Sequence, residues 1–144
     1  MIVPQYQRPA MGRSIDFTTI FVVKSANTPT PIFYLEIKPP SHINDLSKRE
    51  QADLQMRDCI RDLITELRTP KLHGVSALGV RLAFYHYDAA TQVLEPPAIP
   101  RDPILVNDTA PAVRWSVDLL SDEGYERLDQ LATEVKNMAQ ALGV

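Results

Sequence analysis

Cysteine is nearly missing from this chain of 144 residues: Cys59 stands alone, so no internal disulfide can staple the fold. Long apolar runs are missing as well, and no stretch approaches the ~20 residues that a membrane-spanning helix needs. An excess of base is absent. Fifteen Lys and Arg face eighteen Asp and Glu, a net charge of −3. That balance argues against a broadly basic surface of the kind that binds nucleic acid through many phosphate contacts. The first residues, Met1-Ile-Val-Pro-Gln-Tyr-Gln-Arg-Pro9, lack the basic-then-apolar form of a secretory leader, so an intracellular protein, cytoplasmic or nuclear, is expected. His42, His73 and His86 have no Cys or carboxylate at zinc-ligand spacing. A Gly-x-Ser-x-Gly elbow, a P-loop and a dinucleotide fingerprint are all missing, which excludes the chemistries that those motifs serve.

What is there is a chain 44% apolar, enough to bury a core as one domain over residues 1–144. Ile15-Asp-Phe-Thr-Thr-Ile-Phe-Val-Val23 and Pro31-Ile-Phe-Tyr-Leu-Glu-Ile-Lys38 are rich in β-formers, and the turn-rich segment Lys24–Pro31 joins them. Strand side chains alternate between faces, so Glu36 and Lys38 share one face and Leu35 and Ile37 take the other. A carboxylate and an ammonium among branched and aromatic residues are costly to bury without a purpose. A turn centred on Ala26 sets Asp16 opposite Glu36; a centre one or two residues later sets it opposite Lys38 to Pro40. Two carboxylates and a lysine then converge, a set able to hold a divalent metal and activate water against a phosphodiester. An edge-strand salt bridge with a solvated Asp in a turn is the plainer reading. Pro39-Pro40 ends the strand.

Downstream, Ser47-Lys-Arg-Glu50 reads as a capping box with Leu46 as its hydrophobic staple. Ala52, Met56, Cys59, Ile60, Leu63, Ile64 and Leu67 recur at helical spacing, and Thr69-Pro70 ends the helix. Cys59 on that face reads as an inert core thiol. Arg57, Arg61 and Arg68, interleaved with acids, read as a solvated face. Leu72 to Tyr87 gives one or two strands with a bulge or bend at Gly74 or Gly79, and Thr91–Glu95 returns as a hairpin partner. Within the proline-rich segment 96–111, Ile104-Leu-Val106 is expected to be buried, as a short edge strand. Arg114–Asp118 is another short strand with Trp115 as packing anchor. Ser121 opens a terminal helix whose stripe runs Tyr125, Leu128, Leu131, Ala132, Val135, Met138, Ala139, Leu142, with Gly143 to end it.

Asp16 followed by Glu36-Ile37-Lys38, on a hairpin leading into a helix, resembles the core of the PD-(D/E)XK nuclease superfamily, the restriction-endonuclease-like fold. The wider string Gly12-Arg-Ser-Ile-Asp16, Tyr34-Leu-Glu-Ile-Lys38 and Gly74-Val-Ser-Ala-Leu-Gly-Val-Arg-Leu-Ala-Phe-Tyr-His-Tyr87 is similar to uncharacterised fungal proteins carrying this core. The resemblance implies an α/β (α+β) domain with a mixed central sheet and flanking helices, in the order helix, three strands, helix, strand. Few residues precede Asp16, so the first family helix is expected to be missing, and Ile15 stands where a proline is usual. The implied activity is metal-dependent hydrolysis of nucleic acid, DNA ahead of RNA. Asp16 and Glu36 would ligate Mg²⁺ or Mn²⁺, with the backbone carbonyl of Ile37 as a further oxygen ligand. Lys38 would orient water or stabilise developing charge. Gln51, with Gln55 second, would position water or substrate. The terminal helix would cover the sheet face left open or pair with a second subunit in a homodimer. The competing expectations are a nuclease-like binding or regulatory module without chemistry, and an unrelated α+β interaction domain.

Overall fold

The computed structural model describes residues 2–7, 17–25 and 28–143. The elements in order are β1 (Ile2–Gln7), β2 (Phe17–Ser25), β3 (Thr28–Lys38), α1 (Leu46–Leu63), β4 (Lys71–Leu78), β5 (Arg81–Asp88), β6 (Val93–Glu95), β7 (Val117–Asp118) and α2 (Asp122–Ala141). Short 3₁₀ turns occupy Pro40–Asn44, Ile64–Glu66 and Ala112–Trp115. The strands build one mixed sheet in the order β1-β2-β3-β4-β5-β6, with β7 also paired to β5. β3 and β4 are parallel and every other described pair is antiparallel. A parallel pair needs a long crossover, and α1 supplies it. The fold is therefore mixed α and β, with a helix on each face of the sheet.

Strand parity decides which face is which. Tyr34, Leu72, Leu78, Tyr85 and Tyr87 pack with Ala52, Met56 and Ile60 of α1. Val75, Ala77 and Leu82 pack with Leu131, Val135, Met138 and Ala139 of α2 on the opposite face. The terminal helix thus spends its stripe on its own sheet. Tyr125 and Ala132 are the departures: both are exposed, Tyr125 at 72%, and neither belongs to that core. The β2–β3 register slips between Phe21 and Val22, which switches parity, so Ile32 belongs to the α2 core while Tyr34 faces α1.

Three local expectations change and a fourth is narrowed. β3 begins at Thr28, within the expected connector, because Pro31 stands at the register slip, where a missing N–H is tolerated. Thr30, fully buried, is satisfied from both sides, donating to the Glu66 carbonyl at 2.8 Å and accepting from the Arg68 N–H at 3.2 Å. α1 starts at Leu46, and its cap is Asp45, whose carboxylate accepts the Lys48 N–H at 3.3 Å; Ser47 lies inside the helix. The run 72–87 divides at Gly79, whose φ of +62° makes the tight turn between β4 and β5. Gly74 lies within β4, where a side chain would overlap the Tyr34 ring. The expected strand at Arg114–Asp118 shrinks to β7, because Ala112–Trp115 coils into a 3₁₀ turn that buries Trp115 with its Nε1 donating to Ser76 Oγ at 3.1 Å.

Candidate functional site

Glu36 and Lys38 lie two residues apart near the carboxyl end of β3, on the face that α1 covers. They are 4% and 3% exposed, and Lys38 Nζ is 3.9 Å from Glu36 Oε1. The backbone around them is fixed on the β4 side. Glu36 pairs with Ser76 and Lys38 with Leu78 in the parallel ladder, and the Lys38 carbonyl accepts the Gly79 N–H at 2.9 Å. Around this pair the medium is poor in water. Burial holds the Tyr34 phenol well above its usual range, with Cys59, Tyr85 and the Glu36 carboxylate adding to the rise. Burial likewise pushes the Cys59 thiol up to about 12, and again Glu36 contributes, followed by Asp62. A thiol so shifted is no nucleophile at neutral pH, in line with its reading as a core residue.

Of the site residues expected from sequence, the described fold brings Glu36 and Lys38 together. Ile37 points the other way, with 41% of its surface exposed. Gln51 is exposed and lines a cleft of about 430 Å³ between α1 and the segment 98–109, together with Glu50, Leu54 and Ile99. Gln55 is half-buried, one turn from Cys59, in the row Gln51-Gln55-Cys59. Asp16 lies outside the described residues; the last described pairs of the β2–β3 ladder are Thr18 with Glu36 and Phe17 with Ile37. Ahead of β2 the described element is the strand β1, not a helix. Among the described residues no three His, Cys, Asp or Glu side chains form a group able to hold a metal.

Two polar clusters lie beyond what the sequence reading assigned. Asp53 and Arg57 of α1 are buried, not solvated, and form the centre of a network. Arg57 Nε donates to Asp53 Oδ2 at 2.9 Å, while Tyr85 Oη and Arg114 donate to Asp53 Oδ1 at 2.7 and 2.8 Å. The signal was present, since an acid and a base four residues apart flank Ala52, Met56 and Ile60 on the apolar face. On the other face of the sheet, His73 and His86 are not isolated but direct cross-strand partners, with ring centroids 6.0 Å apart and His73 Nε2 3.2 Å from Glu134 of α2. A two-residue turn at Gly79-Val80 dictates that pairing. Comparison with protein-family models, curated proteins and solved structures finds no match.

Proposed function

We propose that the chain is a nuclease-like domain that hydrolyses nucleic-acid phosphodiesters, DNA ahead of RNA, with Asp16 and Glu36 binding Mg²⁺ or Mn²⁺. The observation that carries the reading is the acid and base 3.9 Å apart and almost wholly enclosed at the end of β3. Desolvating both charges costs several kcal/mol per ion, by an order-of-magnitude estimate, so the pair is a poor way to gain stability alone. Two further features support it. Open sheets with parallel strands place ligands beyond the carboxyl ends of those strands. The succession β1-β2-β3-α1-β4, three antiparallel strands, a crossover helix and a parallel strand, follows the resembled nuclease core from its first strand onward.

Glu36 brings the hard oxygen donors that Mg²⁺ and Mn²⁺ take, and Asp16 and the Ile37 carbonyl would complete the set. What such an ion supplies when bound is polarisation of the phosphate and a lowered pKa for water. Lys38 holds its ammonium 3.9 Å from Glu36 and would neutralise charge developing on the phosphate. As crossover, α1 runs back along β3, and Cys59 senses Glu36. One helical turn from Cys59 toward the helix start covers ~6 Å, about the two-residue strand step from Glu36 to Lys38. On that spacing we put Gln55 ahead of Gln51 for the polar positioning role that the resemblance implies.

A second reading has its own observation. Residues only 4% and 3% exposed suit a nuclease-like binding module that keeps the pair to specify its fold without cutting. Plasmid cleavage in Mn²⁺ by the wild type and by Asp16→Ala, Glu36→Ala and Lys38→Ala separates the two. The nuclease reading expects cleavage by the wild type and losses of at least ~10²-fold in each variant. Equal cleavage by wild type and variants refutes the site. A wild type that binds Mn²⁺ through Asp16 and Glu36 yet leaves DNA intact establishes the second reading.

A further inference from the structure

Ile104, Leu105 and Val106, expected in the core, are 89%, 69% and 89% exposed. They are not on a loose tether. Asp102 Oδ1 accepts the N–H groups of Ile104 and Leu105, both at 2.8 Å, and Asn107 closes the turn by accepting from Asp102 N and donating to the Pro100 carbonyl, both at 2.9 Å. The stem is clamped to the body. Arg49 donates to the Ala110 carbonyl and pairs with Asp108, Arg114 donates to the carbonyls of Pro97 and Thr109, and Arg101 pairs with Glu50 at 2.7 Å. Ordering this backbone costs conformational entropy, and each aliphatic side chain left in water forgoes about 1.5–3 kcal/mol. A segment built so firmly, with its most apolar residues at the tip, is shaped to meet something.

The cleft beneath it defines the chemistry of the partner. Leu54 and Ile99, 58% and 37% exposed, continue the apolar surface into the cleft. Glu50 lies in the same wall, with Oε2 bound to Arg101 and Oε1 buried without a hydrogen-bond partner. Arg101 is itself 62% exposed, so the cation now on Glu50 is only lightly held and can be exchanged for another. The cations of the cleft and its rim already have carboxylates, Arg57 and Arg114 on Asp53, Arg49 on Asp108 and Arg101 on Glu50, which leaves little for a phosphate backbone and makes Glu50 Oε1 the open acceptor for a basic group. We infer that residues 96–111 and the adjoining cleft form a docking site for a protein segment that presents aliphatic side chains to Ile104–Val106 and an Arg or Lys to Glu50.

This surface stands independently of the Glu36–Lys38 reading. The test is selection of a random phage-displayed peptide library on the full-length chain, followed by binding of the enriched peptide to variants. The expected peptide carries a basic residue beside aliphatics, and Ile104→Asp, Val106→Asp and Glu50→Gln each weaken it about tenfold or more. The tip residues are solvent-facing and the turn is held by Asp102 and Asn107, so the tip variants keep the fold, while Glu50→Gln keeps the shape of its side chain. Failure to enrich such a peptide, or binding unchanged by either the tip or the Glu50 substitution, overturns the inference. Sedimentation of wild type as a dimer that Ile104→Asp dissociates would overturn it in favour of a second copy of this chain. Pelleting with phosphatidylcholine vesicles that Ile104→Asp abolishes would overturn it in favour of a lipid surface.

Discussion

A large single-residue consequence falls on Asp53, a residue not expected to carry chemistry. Its carboxylate answers Arg57, Arg114 and Tyr85 at once, and its side chain is only 11% exposed. Removing it leaves the Arg57 guanidinium and the Tyr85 phenol without their acceptor and takes one of three from Arg114, a loss of about 3–5 kcal/mol for a broken buried pair. Asp53→Ala should therefore lower the urea midpoint sharply. Asp58→Ala, which breaks the exposed pair with Arg61 at 3.2 Å, should cost under ~1 kcal/mol. Similar losses for the two variants would refute the network as a structural centre. Sequence could place Asp53 and Arg57 on one helical row, but it treated Arg57 as solvated because charge alternation hides burial. The partners Tyr85 and Arg114 arrive from β5 and from a turn more than fifty residues away, which no local pattern records. Glu36 and Lys38 were legible for the opposite reason: both lie in one strand, where parity alone puts them together.

At the scale of elements, α2 against β4 carries a titrating contact. His73 faces Glu134 of α2, with His86 beside it on β5 and Lys71 two residues back on its own strand. Burial lowers the His73 pKa from 6.5, and Glu134 opposes that fall without reversing it. A lowered folded-state pKa means that the unfolded chain binds the proton more readily. The resulting stability is complete above the unfolded value of 6.5 and is lost as pH falls through the lower folded value. Chemical denaturation followed from pH 8 to pH 5, a range of the order over which histidine titrates, should show that acid-side loss in the wild type and a reduced slope in His73→Gln. An identical slope in both proteins would remove His73 from the account. Elements with strong periodicity were legible here: both helices, the β2–β3 hairpin and the hairpin of β4 and β5 follow from apolar spacing and Gly79. Their ends were less so. Asp45 won the α1 cap from Ser47 because the 3₁₀ turn at Pro40–Asn44 delivers it in extended conformation, a tertiary detail. Ile104–Val106 misled because hydrophobicity predicts burial only when some surface within the chain is free to receive it.

At the scale of the whole molecule, the proposed nuclease activity raises the question of how a chain of net charge −3 would handle a polyanion. Many distributed phosphate contacts are not available to it, so attraction would have to be local, and the divalent ion proposed for Asp16 and Glu36 would supply it. The proposed metal would be a ligand of the folded state, and its binding should appear as stability. At free Mn²⁺ near 100 times its dissociation constant, linkage gives about 2.7 kcal/mol. For a chain of this length each kcal/mol raises Tm by roughly 2–4 °C, so a shift of about 5–10 °C is expected. Asp16→Asn and Glu36→Gln remove the carboxylates with little change of shape, and each should abolish the shift. The two results bear on different halves of the proposal, since Glu36 sits in the described core of the sheet while Asp16 rests on the sequence resemblance. A shift lost in Glu36→Gln but kept in Asp16→Asn would assign the ion to Glu36 with another partner. A shift equal in wild type and both variants would place Mn²⁺ elsewhere, and the buried pair on β3 would then be a device of the fold.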